Sequence, residues 1–200
     1  YDLYDLLGME AGYSYILMND IPLNQNSAFS PINTAIASLD GNNYNFVLKS
    51  NGFALGSATD VGIFGTLNEN TILKNITVSI GDDLSVDFAS SGTTSLNFGL
   101  LCGTNNGTIT NCKVVGNAKT LGFVSSSANN DTLNIGGLVG QNFGYITNSN
   151  VQNLKIAGGY GKVGGFVGQN EGIISACYVG NGTTITTNLE QETESLTMLG

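Results

Sequence analysis

The chain contains no histidine, no tryptophan and no arginine, and only two prolines. Without histidine no Ser-His-Asp arrangement can be drawn. The joint loss of Arg and His also disfavours sugar-cleaving lyases and hydrolases, which set a proton donor or acceptor beside clustered carboxylates. Basic residues are scarce: six Lys oppose fifteen Asp plus Glu, so the net charge is 6 − 15 = −9. That sign opposes nucleic acid and anionic membrane, which both need a cationic footprint, and its ordinary consequence is solubility. No apolar run approaches the roughly 20 residues of a membrane span. Three cysteines, Cys102, Cys112 and Cys177, form no C-x-x-C pair, so no zinc or redox motif follows, and all three read as small buried hydrophobes.

What the chain does have is glycine, asparagine, serine, threonine and short apolar groups. Hydrophobic residues make up 41% and charged ones 10%, so the chain can fold, with a surface of small neutral polar groups. Most of it obeys one grammar, G-[LFI]-[VFC]-G-x-N-x-G-x-I-x-N-C-x-V. Copies lie at 61–78, 99–114, 136–151 and 163–179, with anchors Gly65, Gly103, Gly140 and Gly168 spaced by 38, 37 and 28 residues. Such spacing is the range of solenoid repeats.

Each copy reads as strands, because apolar residues alternate over short stretches and Gly and Asn interrupt them. Three faces are expected. The first holds Ile63-Phe64, Leu101-Cys102, Leu138-Val139 and Phe166-Val167. A second holds Ile72, Ile109, Ile146 and Ile174, followed by Val78, Val114, Val151 and Val179. The third holds Leu84, Val86 and Phe88, then Leu121 and Phe123, Leu154 and Ile156, and Ile185. One copy cannot bury these side chains, but stacked copies can, with equivalent residues about 4.8 Å apart in parallel strands. The reading is an all-β, right-handed parallel β-helix with three strands per coil. Glycine supplies tight corners, and Asn75, Asn111 and Asn148 share a column where amides can bond from coil to coil. Cys112 and Cys177 share a column with Ser149 between them. That is too far for a disulfide, whose Cα atoms lie within about 7 Å.

Residues 1–12 are expected to form a short helical cap over the open end, and 13–200 the β-helix. Within 13–50, a strand over 13–24, the run FSPI at 29–32 and a hairpin or corner at Asp40-Gly41-Asn42-Asn43 lead into the first repeat. The repeats at 137–151 and 164–179, with this leading segment, resemble the GLUG motif of bacterial surface proteins. That motif occurs in adhesin-like and cell-surface proteins and in non-catalytic parts of IgA-specific metallopeptidases. The resemblance runs from about residue 13 to 180 and implies a right-handed parallel β-helix outside a bacterial cell.

Few residues carry chemistry. Asp82, Asp83 and Asp87 follow a strand end and are the candidate metal site, for calcium, because hard cations want clustered oxygens. Their bland alternative is a solvated loop. An EF-hand at Asp40 fails, since its twelfth position is Asn51. GYGKVG at 159–164 matches G-x-G-x-x-G but precedes a strand, so no helix end faces a phosphate. Four Asn-x-Thr triplets, at Asn75, Asn106, Asn130 and Asn181, are what chance gives in so Asn-rich a chain. NGTTITTN at 181–188 is a lone Thr row. ESLTMLG at 194–200 is similar to the lead-in of earlier copies, so a longer parent with a further coil is expected, with 188–194 as a solvated loop. The expected function is non-catalytic, with no cofactor: a structural and adhesive surface module whose loops meet other surface proteins or glycans. The alternatives are a subunit of a self-associating extracellular filament and, less favoured, a carbohydrate-active enzyme.

Overall fold

In the computed structural model, which describes residues 3–23, 28–49, 52–87, 95–124, 132–158 and 161–187, the chain winds as a parallel β-helix. Phe88, the loop at 125–131 with Asn130, the first two residues of GYGKVG and the tail at 188–200 lie outside the described residues. A full coil carries five short strands: Thr108–Thr110, Lys113–Val115, Thr120–Val124, Thr132–Gly136 and Val139–Asn142. They belong, in that order, to sheets we number I to V. Sheets I and II have six strands each and sheets III, IV and V have four.

Five strands per coil replace the three expected, because the chain bends within what reads as one strand. Asn75, Asn111, Asn148 and Ala176 all take left-handed backbone, with φ of 55°, 51°, 50° and 53°, and split sheet I from sheet II. Asn tolerates that region better than other non-glycine residues. A second bend falls at Leu100-Leu101, between sheets IV and V.

Stacking is in register. Val78, Val114, Val151 and Val179 form one column of sheet II. Phe64, Cys102, Val139 and Val167 form one of sheet V, and Leu84, Leu121, Ile156 and Ile185 one of sheet III. Sheet I corrects one expectation: Leu73, not Ile72, pairs with Ile109, and Ile72 is 42% exposed. Between the strands of sheets V and I the first copy has two more residues than the second, Leu67 to Ile72 against Asn105 to Thr108, where the motif suggests one, and one residue of slip turns every side chain to the other face. Each buried Val, Ile or Leu contributes roughly 1.5–3 kcal/mol. Inside the stack Phe53, Phe98 and Phe123 meet edge to face, with centroids 5.4 and 5.1 Å apart.

Asp40 to Asn43 is a corner rather than a hairpin: Ser38–Asp40 and Asn45–Leu48 pair in parallel with neighbours in different sheets. A five-residue helix, Leu3–Leu7, precedes the first strand, and Leu6 and Met9 are buried in the common core. At the other end Ile174 and Val179 of the last described coil are 37% and 43% exposed, whereas Ile146 and Val151 beneath them are fully buried.

The anchor glycines have a steric task. A Cβ on Gly140 would lie 2.5 Å from Phe98 N, and one on Gly168 would lie 2.6 Å from Ile135 N. Gly103 meets Val61 N in the same way. Sheet V therefore lies against the backbone of sheet IV one coil earlier, at a distance only glycine permits.

Candidate functional site

Among the described residues, asparagine amides form three ladders from coil to coil. In the first, Asn111 donates to Asn75 Oδ1 at 2.7 Å, and Asn75 donates to Asp40 Oδ1 at 2.9 Å. In the second, Asn134 donates to Asn97 Oδ1 at 2.7 Å and Asn97 to Asp60 Oδ1 at 2.9 Å, with Thr104 Oγ1 also donating to Asp60. In the third the direction reverses: Asn105 donates to Asn142 Oδ1 and Asn142 to Asn170 Oδ1, both at 2.7 Å. The sequence predicted an Asn column at 75, 111 and 148, and bonds join its first two members. The second and third ladders were not read from the sequence, nor were the aspartates that end the first two. A carboxylate only accepts, so Asp40 and Asp60 end ladders whose donors point toward the N-terminus.

Two other aspartates do related work. Asp20 Oδ1 accepts from Asn45 N at 2.7 Å, and Asp83 Oδ1 accepts from Thr120 N at 2.7 Å, each across one coil. Of the predicted calcium residues, Asp83 is thus a coil-to-coil acceptor, while Asp82 and Asp87 stand on either side of the strand start at Leu84. Among the described residues no three ligating side chains come together in a group that could hold a metal ion.

Asp40 also pairs with Lys74 Nζ at 3.3 Å. The Asn75 amide, opposed by burial and helped by Asn42 N–H and Lys74, holds the Asp40 carboxyl below its ordinary value of 3.8. A carboxyl depressed in the folded state contributes stability at higher pH and loses it as pH falls through the lowered value. Stability to urea is therefore expected to fall below about pH 4, and Asp40→Asn to flatten part of that fall. Urea midpoints of both proteins between neutral and acid pH measure it, and identical slopes would remove Asp40 from the account.

Cys102 and Cys112 are buried as expected, whereas Cys177, in the last described coil, is only half-buried. Burial pushes Cys112 up to about 12 and pushes Cys102 well above the ordinary thiol value. Neither is a ready thiolate at neutral pH. Cys112 N–H donates to Ser149 Oγ at 3.0 Å, and Ser149 N–H donates to Cys177 Sγ at 3.4 Å, so this column also bonds coil to coil. All three cysteines are free.

Outward, Phe143, Tyr145, Ile173 and Tyr178 are exposed by 46–59%. Tyr145 and Ile173 pair in sheet I, and Phe143 lies in the corner just before Tyr145. Thr147 Oγ1 donates to Thr110 Oγ1 at 3.0 Å on the same sheet. Glu171 stacks on Phe143, and Lys74 pairs with Thr110, so the rings and hydroxyls share this surface with charged groups. No described helix is long and apolar enough to cross a membrane. No protein-family model, no curated protein and no solved structure matches the chain.

Proposed function

We propose that the chain is a non-catalytic structural and adhesive module of a secreted or bacterial cell-surface protein, a stiff stack that presents its corners to surface proteins or glycans. The observation that carries this reading is the use of the polar side chains. Asp20, Asp40, Asp60 and Asp83, and the Asn columns beside them, bond one coil to the next. Carboxylates committed to backbone and amide donors are poorly placed for acid–base work. The likeness of the repeats to the GLUG motif supports the same reading. Contacts to partners fall on corners and exposed rings such as Phe143 and Tyr145, because rings supply contact area at low entropic cost.

Microspheres coated with the chain and driven by flow over immobilised polysaccharides and matrix proteins test the adhesive half. Retention above bare spheres, reduced by Phe143→Ser with Tyr145→Ser, is expected; retention equal to bare spheres overturns it. Release of soluble sugar from any of the polysaccharides overturns the non-catalytic half. One observation favours self-association as a second reading: the exposed apolar side chains Ile72 and Tyr145, which share one outward column of sheet I. Sedimentation of the chain at rising concentration separates the two, and a constant monomer removes the second.

A further inference from the structure

We infer that Asn181 is a modification site, where the protein deamidates without an enzyme through a cyclic imide with Gly182. Asn-Gly pairs are chemically prone to this step, because glycine leaves the attacking backbone nitrogen unhindered. The chain has three such pairs, at 51–52, 106–107 and 181–182, and the structure treats the two whose residues are both described in opposite ways.

At Asn106-Gly107 both reacting groups are engaged. Gly107 N–H donates to Asn105 Oδ1 at 3.0 Å, and Asn106 Nδ2 donates to Leu67 O at 3.0 Å. Gly107 is also buried. For this pair to react the coil must open. At Asn181-Gly182 both residues are exposed and form the turn between sheets II and III. Gly182 takes φ of 77°, and no described residue hydrogen-bonds its N–H or the Asn181 amide. Among the described residues the one bond on this pair is from Asn153 N to Asn181 O, at 3.2 Å. The turn thus leaves the nucleophile and the electrophile free in the outermost described coil.

The step balances without an oxidant or reductant. Gly182 N loses its proton to solvent base and attacks Asn181 Cγ. The N–Cγ bond forms, the Cγ–Nδ2 bond breaks, and Nδ2 leaves as ammonia after taking a proton. Water then opens the imide. Attack at Cγ gives aspartate, and attack at the main-chain carbonyl gives isoaspartate, whose backbone runs through Cγ. Either product adds one negative charge. Isoaspartate also lengthens the corner by one carbon, between the Asn153–Asn181 bond and the bond from Thr184 N to Leu154 O.

The test incubates the intact chain at mildly alkaline pH and maps its peptides by mass spectrometry, in buffer and in denaturant. In buffer Asn181 is expected to convert first, with Asn106 slower by about a hundredfold or more, the protection of a group that reacts only on local opening. In denaturant the two are expected to convert at similar rates. Equal rates in buffer, or an Asn181 that outlasts Asn106, would overturn the inference. Isoaspartate alongside aspartate at position 181 confirms the route, since direct hydrolysis of the amide gives aspartate alone; conversion with no isoaspartate among the products rules out the imide.

Discussion

Replacing Gly140 with Ala is expected to cost about 3 kcal/mol or more, at or above the top of the usual range for overpacking. The reason is the identity of the atoms in the way. A Cβ on Gly140 would sit 2.5 Å from Phe98 N and 2.7 Å from both Asn97 C and Gly103 O. All three are backbone, in strands fixed by parallel ladders on both sides, so no side chain can rotate aside. Gly122→Ala is the matched control. Its Cβ meets only Leu84 O, at 3.6 Å, an ordinary contact. That change is expected to stay within about 0.5 kcal/mol. Denaturant midpoints of the two variants decide the matter, and equal losses would show that glycine at the anchor is not kept for close approach.

The second large effect falls on Asn142. Its side chain is fully buried, accepts from Asn105 Nδ2 and donates to Asn170 Oδ1. Asn142→Ala leaves the Asn105 amide without an acceptor in a fully buried place. A stranded buried polar group costs about 1–3 kcal/mol, and with the lost bond to Asn170 the total is expected near 2–4 kcal/mol. Asn111→Ala breaks one rung of an exposed ladder and should cost only about 1 kcal/mol. Ala176 already occupies the same left-handed corner two repeats on, so the backbone tolerates alanine there. If the two substitutions unfold at the same denaturant concentration, burial does not govern the ladders.

The parallel β-helix was legible because its core is repetitive. Val78, Val114, Val151 and Val179 recur at one place in each copy, and parallel pairing puts them in a column. Bends were harder to read. Asn111 and Asn148 look like loop residues, yet each turns the chain within a single left-handed step, which raises the strand count per coil. Ile72 and Leu73 are both apolar and adjacent, so only the pairing of Leu73 with Ile109 shows which one faces inward. Asp40 and Asp60 were missed as ladder ends because an isolated carboxylate suggests solvent or metal. The usable signal was distance: they precede Asn75 and Asn97 by 35 and 37 residues, one coil in each case. The uneven 28-residue spacing between Gly140 and Gly168 disturbs none of the columns, since the pairs Val139–Val167 and Asn142–Asn170 keep step.

That step-keeping bears on how such a chain changes length in evolution. Cys102 lies under Val139 and Asn105 under Asn142, so position and rung repeat together every 37 residues. A tandem duplication of that unit would set each amide over its own copy and each glycine over the same backbone. Copy number could then rise or fall by recombination, each event altering reach by about 4.8 Å while posing no new packing problem.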